Sequence, residues 1–301
     1  MKCDQKSCAS CKSSGEKKSR EELLSCKLSR IRNKVLVMSG KGGVGKSSVA
    51  SYLALGLARR NGYRVGLLDI DLHGPSIPKM FGLHGKLNIT AEQEILPYEY
   101  GPNLKIVSIE SMLDDTDSAI IWRGPIKHGV IQQFLADCNW GDLDFLVIDS
   151  PPGTGDEALS ISRLVPDAKA LIVTTHQEVA LSDVRKSINF CRKVDMHILG
   201  LVENMSGLFC PHCNQFIPIF KTGGGRRTSA AMKVRFLGEL PFDPGVVEGG
   251  DSGNPLLNGN GHTPFVKAVG DLVDSVLDNL GENPGHGTGE QHNIDRSIAE
   301  N

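Results

Sequence analysis

In this chain of 301 residues, the residues that could do chemistry are most concentrated in a glycine-rich loop. From Gly40 to Ser47 it fits the pattern G-x-x-x-x-G-K-[ST], between a predicted strand over Lys34–Ser39 and a predicted helix over Gly45–Arg60. Glycines let backbone N–H groups point at phosphate oxygens, and the positive helix end adds to that attraction. We therefore predict a nucleoside triphosphate site, in which Lys46 neutralises phosphate charge and Ser47 ligates Mg²⁺. The predicted nucleotide-binding residues of this loop are Gly40, Lys41, Gly42, Gly43, Val44, Gly45, Lys46, Ser47 and Ser48.

A second lysine follows the first glycine of the loop. Because the loop wraps the phosphates, Lys41 cannot easily turn inward beside Lys46. It is either a solvated charge or a cation that reaches a nucleotide bound by a second copy of the chain, as an arginine finger does. The pattern Lys-Gly-Gly-x-Gly-Lys-Ser resembles the deviant Walker A loop of the MinD/ParA/nitrogenase-iron-protein class of dimeric ATPases. The resemblance implies a homodimer, ATP as the nucleotide and a catalytic role for Lys41.

Three carboxylates lie where predicted strands end. Asp69 and Asp71 come at the end of the strand Arg64–Asp69, and Asp149 ends the strand Asp144–Asp149 before a glycine-rich segment. Asp149 is predicted to hold Mg²⁺ through a water, because a buried carboxylate needs a partner or a metal. By resemblance to the same ATPase class, Asp71 orients or activates the attacking water, and Asp69 supports it or is only structural.

An amide side chain follows the strand predicted over Leu199–Glu203. Asn204 offers both a donor and an acceptor, which suits recognition of an adenine edge. A turn-forming asparagine is the alternative. We predict that Asn204 belongs to the nucleotide site.

A pair of cysteines forms the second chemical feature. Cys210 and Cys213 have the C-x-x-C spacing, which supplies two thiolates, whereas a structural zinc or an iron–sulfur cluster uses four ligands. His212 and another residue could complete a zinc site, the N-terminal cysteines could fold over, or a second copy could donate its own pair. A redox pair is a weaker alternative, because that motif begins a helix after the first strand. We favour a cluster shared between two copies, since the action of Lys41 on a second copy's nucleotide already requires a dimer.

The combined motifs are similar to those of the Mrp/ApbC family of P-loop iron–sulfur cluster carriers. The resemblance covers about residues 30–280, and its segments are Gly40–Ser47, 69–78, Asp149–Glu157, Val202–Ser206, Cys210–Cys213 and Leu240–Pro244. It implies a 4Fe–4S cluster held between two subunits, transfer of that cluster to apoproteins, and slow Mg²⁺-dependent hydrolysis of ATP. It also implies that Cys210 and Cys213 are the cluster ligands, and that Lys41, Lys46, Ser47, Asp71 and Asp149 form the ATPase site.

The N-terminal cysteines depart from the common family pattern. Eukaryotic cytosolic relatives carry a four-cysteine cluster site there, and Cys3, Cys8, Cys11 and Cys26 match only the tight central pair of it. This segment is therefore a second cluster site, a zinc site or a basic tail. Two other cysteines, Cys138 and Cys191, lie in helix-like segments and are predicted to be inert buried thiols.

Composition excludes several function classes. Hydrophobic residues make up 40% of the chain, the net charge is −2, and no apolar run approaches the ~18 residues that span a bilayer. We expect no membrane span, no general nucleic-acid binding and, without a secretory signal, a reducing cytoplasmic location. The remaining alternatives are a P-loop metallochaperone for zinc or nickel and a MinD- or ParA-like positioning ATPase.

Apolar strands alternate with helical segments through the centre of the chain. This alternation predicts an α/β fold, a doubly wound and mostly parallel sheet of about seven strands with helices on both faces, as in P-loop NTPases. We expect a basic, cysteine-containing arm over residues 1–30, an ATPase and cluster-carrier domain over 31–280, and a disordered tail over 281–301. The predicted strands are Lys34–Ser39, Arg64–Asp69, Leu104–Ile109, Asp144–Asp149, Ala170–Thr175, Leu199–Glu203 and Val234–Leu240. The predicted helices are Gly45–Arg60, Pro125–Asp137, Asp156–Arg163, Ala180–Lys193 and Thr263–Leu280.

Overall fold

A central, mostly parallel β-sheet organises the computed structural model. The structure describes residues 19–60, 62–71, 74, 76–112, 124–210, 212–213, 215–219, 223–259 and 263–282. Among these residues the sheet has nine strands in the order β10-β9-β8-β1-β7-β2-β6-β5, with β11 also paired to β9. A separate two-stranded ribbon joins β3 to β4. The doubly wound α/β prediction is confirmed.

The strands and helices have the following bounds. The strands are β1 Ile31–Ser39, β2 Val65–Asp69, β3 Asn88–Ile89, β4 Ile95–Leu96, β5 Tyr98–Tyr100, β6 Leu104–Ser108, β7 Leu143–Asp149, β8 Lys169–Thr174, β9 Ile198–Phe209, β10 Phe216–Ile217 and β11 Phe236–Phe242. The α-helices are α1 Arg20–Ser29, α2 Lys46–Ala58, α3 Ile77–Met80, α4 Gly124–Asp137, α5 Asp156–Leu164, α6 Glu178–Lys193, α7 Gly224–Met232, α8 Pro244–Ser252 and α9 Pro264–Leu280. Two short 3₁₀ turns lie at Ile109–Met112 and Leu256–Asn258.

The sheet has two strands more than the sequence predicted. All seven predicted strands are present, and they pair in parallel. The additional strands β5 and β10 pair antiparallel to β6 and β9. They are three and two residues long, too short to show a hydrophobic period in the sequence.

Helices cover both faces of the sheet because the central strands are apolar on both. In β1, Val35 and Val37 face one core with helices α2 and α9, whereas Leu36 and Met38 face a second core with α1, α4, α5 and α6. This alternation is the period of two that every strand imposes. Burial on both faces explains why these strands are continuously apolar in the sequence.

The first described helix, α1, packs on this body. Ser19 and Glu22 form a capping box at its start, and Leu24 and Leu28 are buried in the core beside α4. Lys27 also forms an ion pair of 2.8 Å with Glu94. The part of the expected arm from Arg20 to Ser29 is therefore a helix folded against the domain.

The parallel arrangement brings several strand ends to one edge. The phosphate loop follows β1, and Asp69 at the end of β2 lies in register with Asp149 at the end of β7. In open α/β sheets ligands bind at this carboxyl edge. None of the described helices is both long enough and apolar enough to span a membrane.

Candidate functional site: a phosphate loop and an exposed thiol pair

The phosphate loop fits tightly against two neighbouring elements. Gly43 and Gly45 have φ angles of 78° and 76°, in the left-handed region that favours glycine. A Cβ atom on Gly40 would overlap the backbone of Asp183 in α6, and one on Gly45 would overlap the amide of Asn204. Only glycine therefore fits at these two places.

A pocket of about 270 Å³ is lined by seven of the nine predicted loop residues, all except Gly40 and Val44. Its lining includes Asp71 and Pro152, which come from two other strand ends. The remaining lining residues are Ser39, Lys41, Gly42, Gly43, Gly45, Lys46, Ser47, Ser48, Gly74 and Ser76. The pocket has room for phosphate groups beside backbone N–H donors and a buried cation.

That buried cation is Lys46, which is only 6% exposed. Its Nζ lies 2.5 Å from Asp149 Oδ1, 3.2 Å from the Ser47 hydroxyl oxygen and 3.9 Å from Asp71 Oδ2. The ammonium group therefore balances the two acidic side chains at the edge of the sheet. Nucleotide phosphates would compete with those carboxylates for it.

Asp149 has the properties of a metal-binding carboxylate. Its side chain is fully buried, and Oδ2 has no hydrogen-bond partner among the described residues. Burial raises the pKa of the Asp149 carboxyl. The charge of Lys46, and hydrogen bonds from Lys46 and Ser47, offset part of that rise. An orphaned carboxylate oxygen beside a serine hydroxyl is a donor set that fits Mg²⁺.

Asp69 lies between Asp149 and the next strand end. Its Oδ1 accepts the backbone N–H of Asp71 at 3.0 Å, and its Oδ2 accepts the hydroxyl of Ser108 at 3.1 Å. Burial, followed by the charge of Asp149, raises the pKa of the Asp69 carboxyl well above its usual value. Asp69 does not line the loop pocket, whereas Asp71 does.

Lys41 lines the loop pocket, as Lys46 does. Its Nζ is 3.5 Å from Oε1 of Gln177, the residue before α6. The side chain is half-buried in this position. Its action on a second nucleotide stays a prediction.

The side chain of Asn204 holds the phosphate loop by a hydrogen bond to the loop's backbone. The side-chain amide nitrogen donates to the carbonyl oxygen of Val44 at 2.9 Å, and the side chain is buried. This contact differs from the predicted contact with an adenine edge, which stays a prediction. It makes Asn204 a support for the phosphate loop.

The cysteine pair lies where β9 leaves the sheet. Cys210 N–H donates to the carbonyl oxygen of Gln215 at 2.9 Å, which closes the hairpin between β9 and β10. Backbone N–H groups of Cys213 and His212 donate to the Cys210 sulfur and hold the pKa of that thiol below its usual value. Cys210 is half-buried and Cys213 is exposed.

One copy of the described chain supplies these two thiols and no complete metal site. No group of three or more His, Cys, Asp or Glu side chains is placed to hold a metal ion in the parts of the chain that the structure describes. A cavity of about 570 Å³ opens beside the pair, with Phe209, Phe242 and Phe265 in its wall. Phe216 and Ile217 of β10 are exposed by 45% and 44% on the same hairpin.

The other cysteines behave differently. Cys138 and Cys191 are buried, and burial raises the pKa of both thiols, that of Cys191 to about 12, as expected for inert core residues. Cys26 is half-buried on α1. Cys3, Cys8 and Cys11 lie outside the described residues, so the prediction of an N-terminal cluster site stays a prediction.

Sequence reasoning missed two residues at this edge of the sheet. Ser108 and Gln177 contact Asp69 and Lys41, and each lies at or just beyond the end of a parallel strand. A polar residue at the end of every predicted strand was the available signal. Their partners are far away in the sequence, so no local spacing revealed the contacts.

Comparison with known proteins shows the family to which the chain belongs. The family described as NUBPL iron-transfer P-loop NTPase, of the ParA group, matches residues 30–277. The chain is 47% identical over 264 residues to the "cytosolic Fe-S cluster assembly factor NUBP2 homolog" of Monosiga brevicollis, covering 86% of this chain and 93% of the relative. It is 46% identical over 253 residues to the "iron-sulfur cluster carrier protein" of Saccharolobus solfataricus, covering 83% and 85%.

Solved structures agree with the fold. A nucleotide-binding protein of Archaeoglobus fulgidus in complex with ADP superposes with a TM-score of 0.68 at 36% identity, covering 77% of this chain and 91% of that one. The cell-division ATPase MinD of Pyrococcus furiosus superposes with a TM-score of 0.60 at 24% identity, covering 82% and 98%. The second likeness shows the fold alone.

Proposed function

The chain belongs to the NUBPL iron-transfer P-loop NTPase family, and from that membership we propose that it is an ATP-binding carrier of iron–sulfur clusters. The resemblance to the Mrp/ApbC carriers is thereby confirmed. In finer terms, the cargo is a 4Fe–4S cluster that two identical subunits hold between them and deliver to apoproteins. The names of the relatives favour work in the cytoplasm.

One observation supports this proposal above the others. A single domain combines a phosphate loop, whose lysine is paired with two acidic side chains, with a hairpin that presents two thiols. Two thiolates are half of what a cluster needs, so a second copy related by a two-fold axis would complete the set. A scaffold for zinc or nickel alone would not require sulfide.

The ATPase half is proposed to act as follows. Ser47 and Asp149 would hold Mg²⁺, which supplies charge to the phosphates when bound. Lys46 exchanges its carboxylate partners for phosphate oxygens, and Asp71 orients the attacking water. Lys41 reaches the nucleotide of the second subunit, and Asn204 keeps the loop in shape through Val44. We expect slow, Mg²⁺-dependent hydrolysis.

The carrier half uses the exposure of the hairpin. Cys210 is anchored by the bond from its own N–H to Gln215, while Cys213 projects into solvent. Recipient thiolates can approach a cluster held at such a surface, and any movement of one subunit against the other changes its ligand set. ATP binding at the subunit interface is the proposed source of that movement.

Purification without oxygen tests the proposal directly. We expect about four irons and four sulfides per dimer in a variant that lacks Cys3, Cys8, Cys11 and Cys26, with the Mössbauer spectrum of a 4Fe–4S cluster. Sedimentation should give the mass of a dimer. Metal without sulfide would favour the zinc or nickel metallochaperone, and a colourless monomer that cannot be reconstituted would contradict the carrier.

A further inference from the structure

Three neighbouring parallel strands end side by side with polar residues. In β6, β2 and β7 these are Ser108, Asp69 and Asp149, and Asp69 lies in register with both of the others. Asp69 is 1% exposed, so its carboxyl group sits where an unsatisfied oxygen would be costly. Both of its oxygens are in fact engaged.

The contacts of Asp69 form a fixed chain across the strand ends. Oδ1 accepts the N–H of Asp71, two residues further on, which is the bond of an Asx turn. Oδ2 accepts the Ser108 hydroxyl, whose oxygen accepts the N–H of Glu110 at 3.3 Å. Two hydrogen bonds therefore hold Ser108, which directly precedes Ile109, the first residue of the 3₁₀ turn after β6.

These hydrogen bonds determine the direction of the Asp71 side chain. The backbone of Asp71 leaves β2 at the Asx turn, and its side chain reaches the loop pocket, with Oδ2 3.9 Å from Lys46 Nζ. Asp69 itself is kept out of that pocket by its two bonds. The two aspartates of the Asp-Ile-Asp segment are thus separated into one residue that faces the nucleotide and one that faces the protein.

We propose that Asp69 and Ser108 are positioning residues for ATP hydrolysis, and that they act by fixing the turn that aims the Asp71 carboxylate at the water. The inference rests on the proposed role of Asp71. It requires Asp69 to form two hydrogen bonds, one as acceptor from the Asp71 N–H and one with the Ser108 hydroxyl. It does not require a negative charge on Asp69. Asparagine keeps both contacts, because Oδ1 still accepts the Asp71 N–H and Nδ2 can donate to the Ser108 oxygen, which reverses the direction of that bond.

The test compares isosteric and truncated variants in a background without Cys210 and Cys213, so that no bridging cluster is involved. The chain is assayed by single-turnover hydrolysis at saturating Mg²⁺–ATP, and nucleotide affinity is measured separately. We expect Asp69→Asn to keep the rate within about threefold, Ser108→Ala to lose about fivefold, and Asp69→Ala to lose about 30-fold or more, as hydrogen-bond loss and misplacement predict. Affinity for ATP should stay within about threefold in all three, because the effect is on orientation and not on binding.

Two reference variants frame the comparison. Asp71→Asn removes the proposed carboxylate and sets the floor of the rate. Ser229→Ala removes a buried hydroxyl of α7 that bonds to Val234 and lies outside the loop pocket, and it should leave the rate unchanged. If Asp69→Ala fails to fold, Asp69→Asn and Ser108→Ala still decide the question.

The outcomes separate this inference from the function it rests on. Asp69→Asn falling to the rate of Asp71→Asn would mean that the Asp69 charge acts directly, which overturns positioning by shape. Full activity of Ser108→Ala together with Asp69→Ala would overturn it as well. A parent chain that binds ATP but never hydrolyses it would refute the proposed ATPase activity, and the inference with it, before any variant is made.

Discussion

Asn204 and Val44 are joined by a hydrogen bond of 2.9 Å between the side-chain amide nitrogen and the loop carbonyl oxygen. The bond ties β9 to the phosphate loop, and the same strand ends at Phe209, directly before Cys210. Cys210 follows Asn204 by six residues, and the backbone between them has positive φ angles at Met205 (57°) and Gly207 (130°). The nucleotide site and the thiol pair share one structural element.

This relationship predicts the effect of Asn204→Ala. Removing the amide leaves the Val44 carbonyl without its partner and the Gly45 turn without its support, so ATP affinity should fall about fivefold to 20-fold. Equilibrium binding of a fluorescent ATP analogue measures this. Asn279→Ala is the control, because it removes a partly buried hydrogen bond from a side-chain amide that lies outside the loop. Unchanged affinity in Asn204→Ala would mean that the loop holds its shape alone.

Lys46→Ala should abolish hydrolysis and also lower stability. The substitution leaves Asp149 buried without its counter-charge, a loss of about 3 kcal/mol in the free energy of unfolding. The double variant Lys46→Ala/Asp149→Asn should regain most of that loss, because the carboxylate closest to Lys46 is then neutral. Urea unfolding of both variants provides the measurement, and equal stabilities would contradict the pairing.

The same variant should show a specific pH dependence. Burial raises the pKa of Asp149 in the folded chain, and losing Lys46 raises it further. A carboxyl whose folded pKa exceeds its unfolded value contributes stability in full below the unfolded pKa, and that contribution is lost as the pH rises through the folded pKa. Lys46→Ala should thus lose more stability relative to the parent at about pH 8 than at about pH 5. A loss independent of pH would exclude ionisation of Asp149 as the cause.

Lys41 offers a test of action between subunits. Lys41→Ala should bind ATP but hydrolyse it at least about 100-fold more slowly, as loss of a transition-state cation predicts. Lys46→Ala binds no nucleotide productively but still carries Lys41. Mixing the two inactive chains should restore hydrolysis in the mixed dimers, where Lys41 of one chain reaches ATP on the other. Absence of recovery, with mixed dimers shown by mass spectrometry, would place Lys41 in its own site.

Cys210→Ser and Cys213→Ser should each remove the bridging cluster and leave ATP binding intact. Two ligands of four disappear from every dimer, which a 4Fe–4S cluster does not tolerate. Iron and sulfide analysis of anaerobic protein without the N-terminal cysteines gives the result. Cys191→Ala is the matched control, since that thiol is buried in the core and should leave the iron content unchanged. Full iron retention in either hairpin variant would refute the ligand assignment.

Local sequence determined a large part of this protein. The phosphate loop, the seven parallel strands and the carboxylates at their ends follow from short patterns, because backbone conformation and alternating burial depend on near neighbours. For the same reason, the continuously apolar strands predicted a sheet with helices on both faces. The Cys210–Cys213 spacing also predicts a metal-binding turn from local sequence alone, and that role stays a prediction.

Tertiary structure decided the partners of those residues. Asn204 meets Val44 across 160 residues, Lys46 meets Asp149 across 103, and Asp69 meets Ser108 across 39. The packing of α1 and the two short antiparallel strands, β5 and β10, also depend on surfaces that distant segments provide. A hydrogen bond between segments far apart in the chain exists only once the sheet has set its strand order and register. The sequence therefore shows which groups are available, and the fold decides which of them touch.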